Sequence, residues 1–326
     1  MTIAIRLAGH ARPTAAALSW CGVVALLAGA LLVHPALSRQ GENVATSLLL
    51  YVAGATAWNL IGGMGGQFSL AQSTFVGVGG YTTVMVMLTR GWSTVPALLA
   101  AGVAGATLAA VMGAVLFRLR GAYFTIGSLA FALAALSWMT VWSFTGATQG
   151  LSAPLALVPT PSATFTLAVL LAVAAIGAGV AIAHSRYGLR LMAVRDDEDV
   201  ADSLGVAPFL TKLGALVVSG VLTSLVGAAF AMTTISIEPF SAFGVGWTIS
   251  FVVMAIVGGL GTVWGPAIGA VVVYYGLTVQ LQQFPTVSAI VSGLLIVVLI
   301  TFLPNGLLGA LQNLTRFLVR RRPAST

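Results

Sequence analysis

Arg186-Tyr187-Gly188-Leu189-Arg190-Leu191-Met192-Ala193-Val194-Arg195-Asp196-Asp197-Glu198-Asp199-Val200-Ala201-Asp202-Ser203-Leu204-Gly205-Val206-Ala207-Pro208 divides two long apolar regions of the chain. Five of the seven acidic residues lie between Asp196 and Asp202, and Lys212, the only lysine, closes the segment. A polar stretch in so apolar a chain must sit in water. It is expected to be the place where a membrane-embedded body meets a soluble partner.

The composition excludes a soluble fold. Charged residues make up 6% and hydrophobic residues 59% of the 326 residues, with mean hydropathy +1.04, against about 25% charged in a soluble domain. No soluble packing hides that much apolar surface, so the expected class is an all-α polytopic membrane protein in the lipid bilayer. The net charge of +7 does not indicate nucleic-acid binding, because the arginines stand singly between apolar runs, as topology signals do. Cys21, the only cysteine, can form neither an internal disulfide nor a metal cluster. Arg6 and Arg12 before the apolar run Ala15 to Val33, with Ala36-Leu37-Ser38 behind it, follow the grammar of a signal peptide. The run exceeds a usual signal core, which predicts a retained first span.

A span needs about 20 mostly apolar residues. The candidates are Ala16–Leu37, Val44–Ile61, Phe68–Leu88, Thr94–Phe117, Tyr123–Phe144, Ala163–His184, Leu213–Thr233, Trp247–Gly258, Val263–Leu281 and Thr286–Leu303. The eighth is short enough to pair with the ninth as one broken helix, so eight to ten transmembrane helices are expected, some of them broken. With Arg6 and Arg12 inside, twelve of the fourteen basic residues fall on the cytoplasmic side and only Arg39 and Arg90 outside. The positive-inside rule then predicts cytoplasmic termini, a cytoplasmic Asp196–Asp202, and external loops at Thr145 to Ser162 and Ile235 to Gly246. Arg320-Arg321-Arg322 suits a cytoplasmic anchor beside anionic lipid.

Glycine clusters at two places, Gly62-Gly63-Met64-Gly65-Gly66 and Gly258-Gly259-Leu260-Gly261. Both follow two apolar residues with Gly-Gly, an apolar residue and Gly, a faint internal repeat. The first cluster is expected to break a helix inside the bilayer, which is tolerated only where protein or a wet cavity surrounds the backbone. At the second, a break stands beside close helix packing through Gly261, Gly265 and Gly269. Gln67, Ser69, Gln72 and Tyr81, near the first break, are candidates for polar contact with a passing solute. Interhelical hydrogen bonding is the alternative for all four, and above all for Ser69 and Tyr81.

The remaining chemistry is defined by absences. No Asp, Glu, Lys or Arg stands in the middle of a proposed span, so the usual intramembrane proton relay is missing; sodium coupling through carbonyls and hydroxyls stays open. Lys212 lies between Thr211 and Leu213, so there is no Gly-Lys-Ser/Thr phosphate loop, and ATP chemistry must come from another subunit. His10, His34 and His184 are scattered, no metal site is expected, and no Ser/His/Asp or Cys/His arrangement points to an enzyme. Asp196, Asp197, Glu198 and Asp199 are expected at the start of a short helix, where carboxylates complement the dipole. Val200, Ala201 and Leu204 would share its apolar face, and Gly205 followed by Pro208 would end it. An ordinary solvated loop is the alternative.

Asp199-Val200-Ala201-Asp202-Ser203-Leu204-Gly205 resembles the EAA-x3-G coupling segment of ABC importer permeases. The wider stretch from Arg186 to Gly205 resembles the cytoplasmic loop of the branched-chain amino acid permease family, the LivM type. Asn59-Leu60 with Gly65 to Gln72 and Gly79-Gly80-Tyr81, Arg118 to Phe131, and Thr145 to Leu151 resemble it as well, so that the similarity covers about residues 44 to 305. Gln149 stands where the family often has Asp, and Ala147 where it often has Gly. The resemblance implies a single transmembrane permease domain over residues 1–326 with a cytoplasmic coupling segment at 186–212, in a bacterial inner membrane. It implies a homologous second permease, two cytoplasmic ATPase subunits that bind ATP and Mg, and an external solute-binding protein. It implies no cofactor in this chain. The solutes would be branched-chain or related amino acids. Urea or another small polar solute, a sodium-coupled secondary transporter and a non-transporting scaffold are the alternatives.

Overall fold

The computed structural model describes residues 13–279 and 306–309. Helices α1 (Pro13–Val33) and α2 (Arg39–Asn59) come first, and α2 runs on through a π turn, Leu60–Met64. After the break come α3 (Gln72–Arg90), α4 (Thr94–Leu116), α5 (Ala122–Val141), strand β1 (Leu151–Ser152) and α6 (Pro161–Ala183). The polar stretch forms α7 (Arg186–Asp196) and α8 (Glu198–Ser203). Then follow α9 (Pro208–Thr234), β2 (Ser236–Ile237), α10 (Pro239–Phe243), α11 (Gly246–Gly258) and α12 (Gly265–Ala270), the last continued by a π segment, Val271–Val279.

Local chemistry fixes several of these starts. The Ser38 hydroxyl accepts from Gly41 N, the Thr160 hydroxyl accepts from Ala163 N with Pro161 next in line, and Pro208 opens α9. Each meets the orphan amides of a first turn with an acceptor, or with a residue that has no amide to orphan.

The structure is helical, as expected. Among the described residues six helices are long and apolar enough to cross a membrane: Arg39–Met64, Thr94–Leu116, Ala122–Val141, Pro161–Ala183, Pro208–Thr234 and Pro239–Gly258. The expected eight to ten also counted α1, α3 and the α12 region. Those are helices too, but α3 is diluted by Gln72, Ser73, Thr74 and three further threonines, and the apolar parts Ala17–Ala30 and Gly265–Gly276 are short. The tenth candidate, Thr286–Leu303, and the basic run Arg320–Arg322 lie outside the described residues, as do Arg6 and Arg12. The eighth candidate proves longer than expected, because α10 extends α11 at its start.

Helix α9 is the axis. It packs on α3 and α4 along one flank and on α2 and α6 along another. The approach is close because glycine lies at the crossings. Gly79 rests on the Ser224 backbone, Gly227 on the Val76 backbone, and Gly105 against the Ser224 side chain and the Gly220 carbonyl. Apolar burial gives little preference between lipid and a neighbouring helix, so such backbone approach supplies the contact. Helices α4 and α5 leave most of their surface exposed, with Val103, Val111, Val115, Ile126 and Val141 each more than half accessible, as a lipid-facing flank requires.

The bundle has two ends. At one, α7 and α8 lie beside the start of α9 and the break after α2. At the other, the loops expected to share one side do meet: β1 and β2 pair antiparallel, Leu151 opposite Ile237, and Ala153 N donates to Ile235 O at 2.7 Å.

Candidate functional site

Helix α8 is short but fully capped. The Asp197 carboxylate accepts from Asp199 N and Val200 N, both at 3.0 Å. At the other end Gly205 takes φ +79°. Gly205 N donates to Asp202 O and Val206 N to Ala201 O, the paired bonds of a Schellman stop. The expected helix is therefore present with corrected bounds. Asp196 closes α7 instead of opening α8, because Asp197 turns extended (φ −158°, ψ 115°) to act as the cap. Glu198 and Asp199 occupy the first turn, where their charge suits the dipole.

The expected shared face of Val200, Ala201 and Leu204 divides. Val200 and Leu204 are 55% and 76% exposed, whereas Ala201 is 1% exposed and packs into the protein itself. One residue is a rotation of about 100° on a helix, so Ala201 cannot look outward with Val200 while α8 lies on the body.

Lys212 is the second correction. It is not solvated but 1% exposed, and its Nζ donates to Glu198 Oε1 at 2.7 Å while sitting 5.4 Å from the centre of the Phe117 ring. This part-buried pair fastens the first turn of α8 to the first turns of α9. Fourteen residues separate the partners, so no helical spacing announced it. Arg120 and Asp199 also pair, at 3.1 Å, but with side chains 68% and 78% exposed, where an ion pair contributes little. The Tyr187 hydroxyl donates to Thr211 O at 2.6 Å, joining α7 to α9. Burial pushes that phenol up to about 12, with a backbone hydrogen bond acting in the opposite sense.

Both glycine clusters break their helices, and the two breaks touch. After the π turn Leu60–Met64, Gly66 takes φ +68° and the chain stays non-helical until Gln72. After α11, Gly259 and Gly261 take φ +129° and +75°. A methyl group on Gly63 would lie 2.6 Å from Gly261 N. Asn59 laces the two together: its Oδ1 accepts from Gly261 N and its Nδ2 donates to Thr262 O, both at 2.8 Å. Arg195 Nη1 donates to Gly63 O at 2.7 Å. Gly258, Gly265 and Gly269 meanwhile meet backbone to backbone, so the second cluster provides close packing as well as a break. Gly62 has its own reason, the Trp58 ring 2.5 Å from where its Cβ would be, and Gly65 faces Ile61 O.

The polar residues after the first break lie mostly inside. Ser69, Gln72 and Tyr81 are buried and Gln67 is half-buried. Ser69 O accepts from Trp58 Nε1, Gln72 Nε2 donates to Ser219 Oγ at 2.6 Å and to Thr223 Oγ1 at 3.1 Å, and the Tyr81 hydroxyl reaches Ile237 O at 3.4 Å. In this conformation they hold helices together. Gln72 Oε1, Ser73 Oγ, Thr74 Oγ1 and Thr56 Oγ1 are buried without a protein partner among the described residues.

A cavity of about 450 Å³ opens at the sheet end, between α2, α9, α11 and the last π segment. Asn43, Thr46, Ser47 and Tyr51 line it from α2, Thr233 and Thr234 from α9, and Trp247, Tyr274 and Phe230 close it. Among the described residues no charged side chain lines it. The sequence held a signal for part of this lining, since positions 43, 46, 47 and 51 are one face of a helix. Trp247 and Tyr274 arrive only by tertiary packing.

The chain matches the family described as "Branched-chain amino acid transport system / permease component" over residues 41–300. It belongs to that family. The family is one of non-catalytic transmembrane components of ABC transporters, and this permease is a multi-pass membrane protein. It is similar to the high-affinity branched-chain amino acid transport system permease protein LivM of Salmonella typhimurium, with 24% identity over 308 residues, 83% of this chain and 70% of that one. The LivM protein of Escherichia coli is likewise 24% identical over 323 residues, 88% of this chain and 74% of its own. No solved structure matches the permease.

Proposed function

We propose that this permease is the transmembrane subunit of a binding-protein-dependent importer of branched-chain or related small amino acids. It works in a bacterial inner membrane, with both termini and α7–α8 in the cytoplasm and the sheet end outside. The chain forms one transmembrane domain over 1–326 with its coupling segment at 186–212. A homologous second permease completes the pore, two ATPase subunits bind ATP and Mg and dock on α8, and an external binding protein delivers the solute.

One observation supports this most. Helix α8 is capped at both ends, tied to α9 by the Glu198–Lys212 pair, and turns Val200 and Leu204 into solvent. A stiff helix with an outward apolar pair, bolted to a spanning helix, suits a part that is gripped and moved. Asp196, Asp197, Glu198, Asp199 and Gly205 build and hold it, Ala201 seats it, and Val200 and Leu204 are the gripped surface. The uncharged cavity suits a solute neutral overall, held through hydroxyl and amide groups. Gln67 and Gln72 are the proposed polar contacts along the solute path, and the buried Gln72 Oε1, unpartnered among the described residues, favours water or a polar solute.

The test is Leu204→Glu in the complete complex. Leu204 is 76% exposed, so the substitution leaves the permease folded, while a charge pressed without a partner into a docking groove weakens binding by several kcal/mol. ATPase co-purification and leucine uptake should both be lost. Undiminished association would remove α8 as the docking element.

A further inference from the structure

Helices α2 and α11 end at the same place, where Gly63 meets Gly261. Each C-terminus brings unpaired carbonyls and roughly half a negative charge. Arg195 bonds the first and packs against the second. Its Nη1 donates to Gly63 O at 2.7 Å, and the same nitrogen would lie 2.8 Å from a Cβ on Gly261. Its Cγ would lie 2.6 Å from a Cβ on Gly66. Gly66 and Gly261 both have positive φ, so glycine there serves the bend and also leaves the room that Arg195 fills. Arg195 stands two residues before Asp197, the cap of α8.

We infer that Arg195 is a positioning residue that transmits movement of α8 to the ends of α2 and α11, so that the two broken helices move as a pair. What moves α8 rests on the proposed function; the contact itself does not. A guanidinium is planar and always charged, and its fork can bond one break while bearing on the other. Lysine offers a single point of charge and should restore only part of the effect.

Two measurements decide it. In the purified permease, Arg195→Ala should raise amide exchange at least tenfold in peptides covering both Gly62 to Gln67 and Gly259 to Thr262, with α4 and α6 unchanged and with partial recovery in Arg195→Lys. Unchanged exchange at either break overturns the inference. In proteoliposomes of the complete complex, with leucine as the solute, Arg195→Ala should keep ATP hydrolysis within about twofold while uptake per ATP falls at least tenfold. A residue that merely stabilises the fold would lower hydrolysis and uptake together, and that result also overturns it. If the wild-type complex takes up no leucine, the proposed solute fails on its own, and the exchange result still decides whether Arg195 holds the two breaks.

Discussion

The Glu198–Lys212 pair should respond unequally to losing one partner or the other. Lys212 is 1% exposed on its side chain and Glu198 27%. Glu198→Gln removes the one anion that, among the described residues, bonds a buried ammonium, and leaves it the Phe117 ring and an amide oxygen. Breaking a buried pair by removing one partner costs about 3–5 kcal/mol. Because water reaches the Glu198 side, the lower end, about 3 kcal/mol, is the appropriate figure. Lys212→Met instead removes the buried charge, fills the space with apolar volume beside Phe117, and frees a carboxylate that can turn to water. Its cost should be about 1 kcal/mol or less. The double substitution should resemble Lys212→Met alone. Amide exchange of α8 in the purified permease reads this directly, since about 1.4 kcal/mol is a factor of ten. Glu198→Gln should speed exchange at Val200 to Leu204 by on the order of a hundredfold, and Lys212→Met by less than about tenfold. Equal effects, or a larger effect from Lys212→Met, would refute a buried ammonium that depends on Glu198.

Three further outcomes are expected. Gly205 has φ +79° with nothing within 4 Å of where its Cβ would be, so Gly205→Val should loosen α8 by backbone strain of about 1–2 kcal/mol while Gly205→Asn is tolerated; thermal melts or exchange of α8 will separate the two. The Tyr187 phenol is raised from 10 to about 12 by burial, so its contribution to docking α7 is whole below pH 10 and fades as pH rises towards 12; Tyr187→Phe should remove that alkaline step, seen in tryptic cleavage at Arg186 and Arg190. For orientation, single cysteines replace Ser203 and Thr148 in a Cys21→Ser background, the native thiol being exposed; an impermeant thiol reagent on intact cells should label position 148 only, and labelling at 203 would reverse the topology.

The sequence by itself determined the class of the protein, because 59% hydrophobic residues interrupted by short polar stretches leave no other home than a bilayer. It also pointed to a short helix stopping at Gly205, with a solvated loop as the alternative, since carboxylates before an apolar pair and a glycine after it act within one or two helical turns; the start at Glu198, after the Asp197 cap, came only from the structure. The first glycine cluster was likewise legible as a break, since runs of Gly lose little by leaving the helix and tolerate positive φ, whereas the second left a break and close packing side by side. Only the tertiary structure decided what those pieces face. Ala201 turned inward because α8 lies against its own protein, and Lys212 went into the interior because Glu198, fourteen residues away, arrives to neutralise it. Asn59 and Gly261, about two hundred residues apart in sequence, became partners only when α2 and α11 finished side by side. The cavity lining from α9, α11 and the last π segment has the same origin. Periodicity reports which face of one helix is polar; which other helix supplies the remaining wall depends on long-range packing that no local window contains.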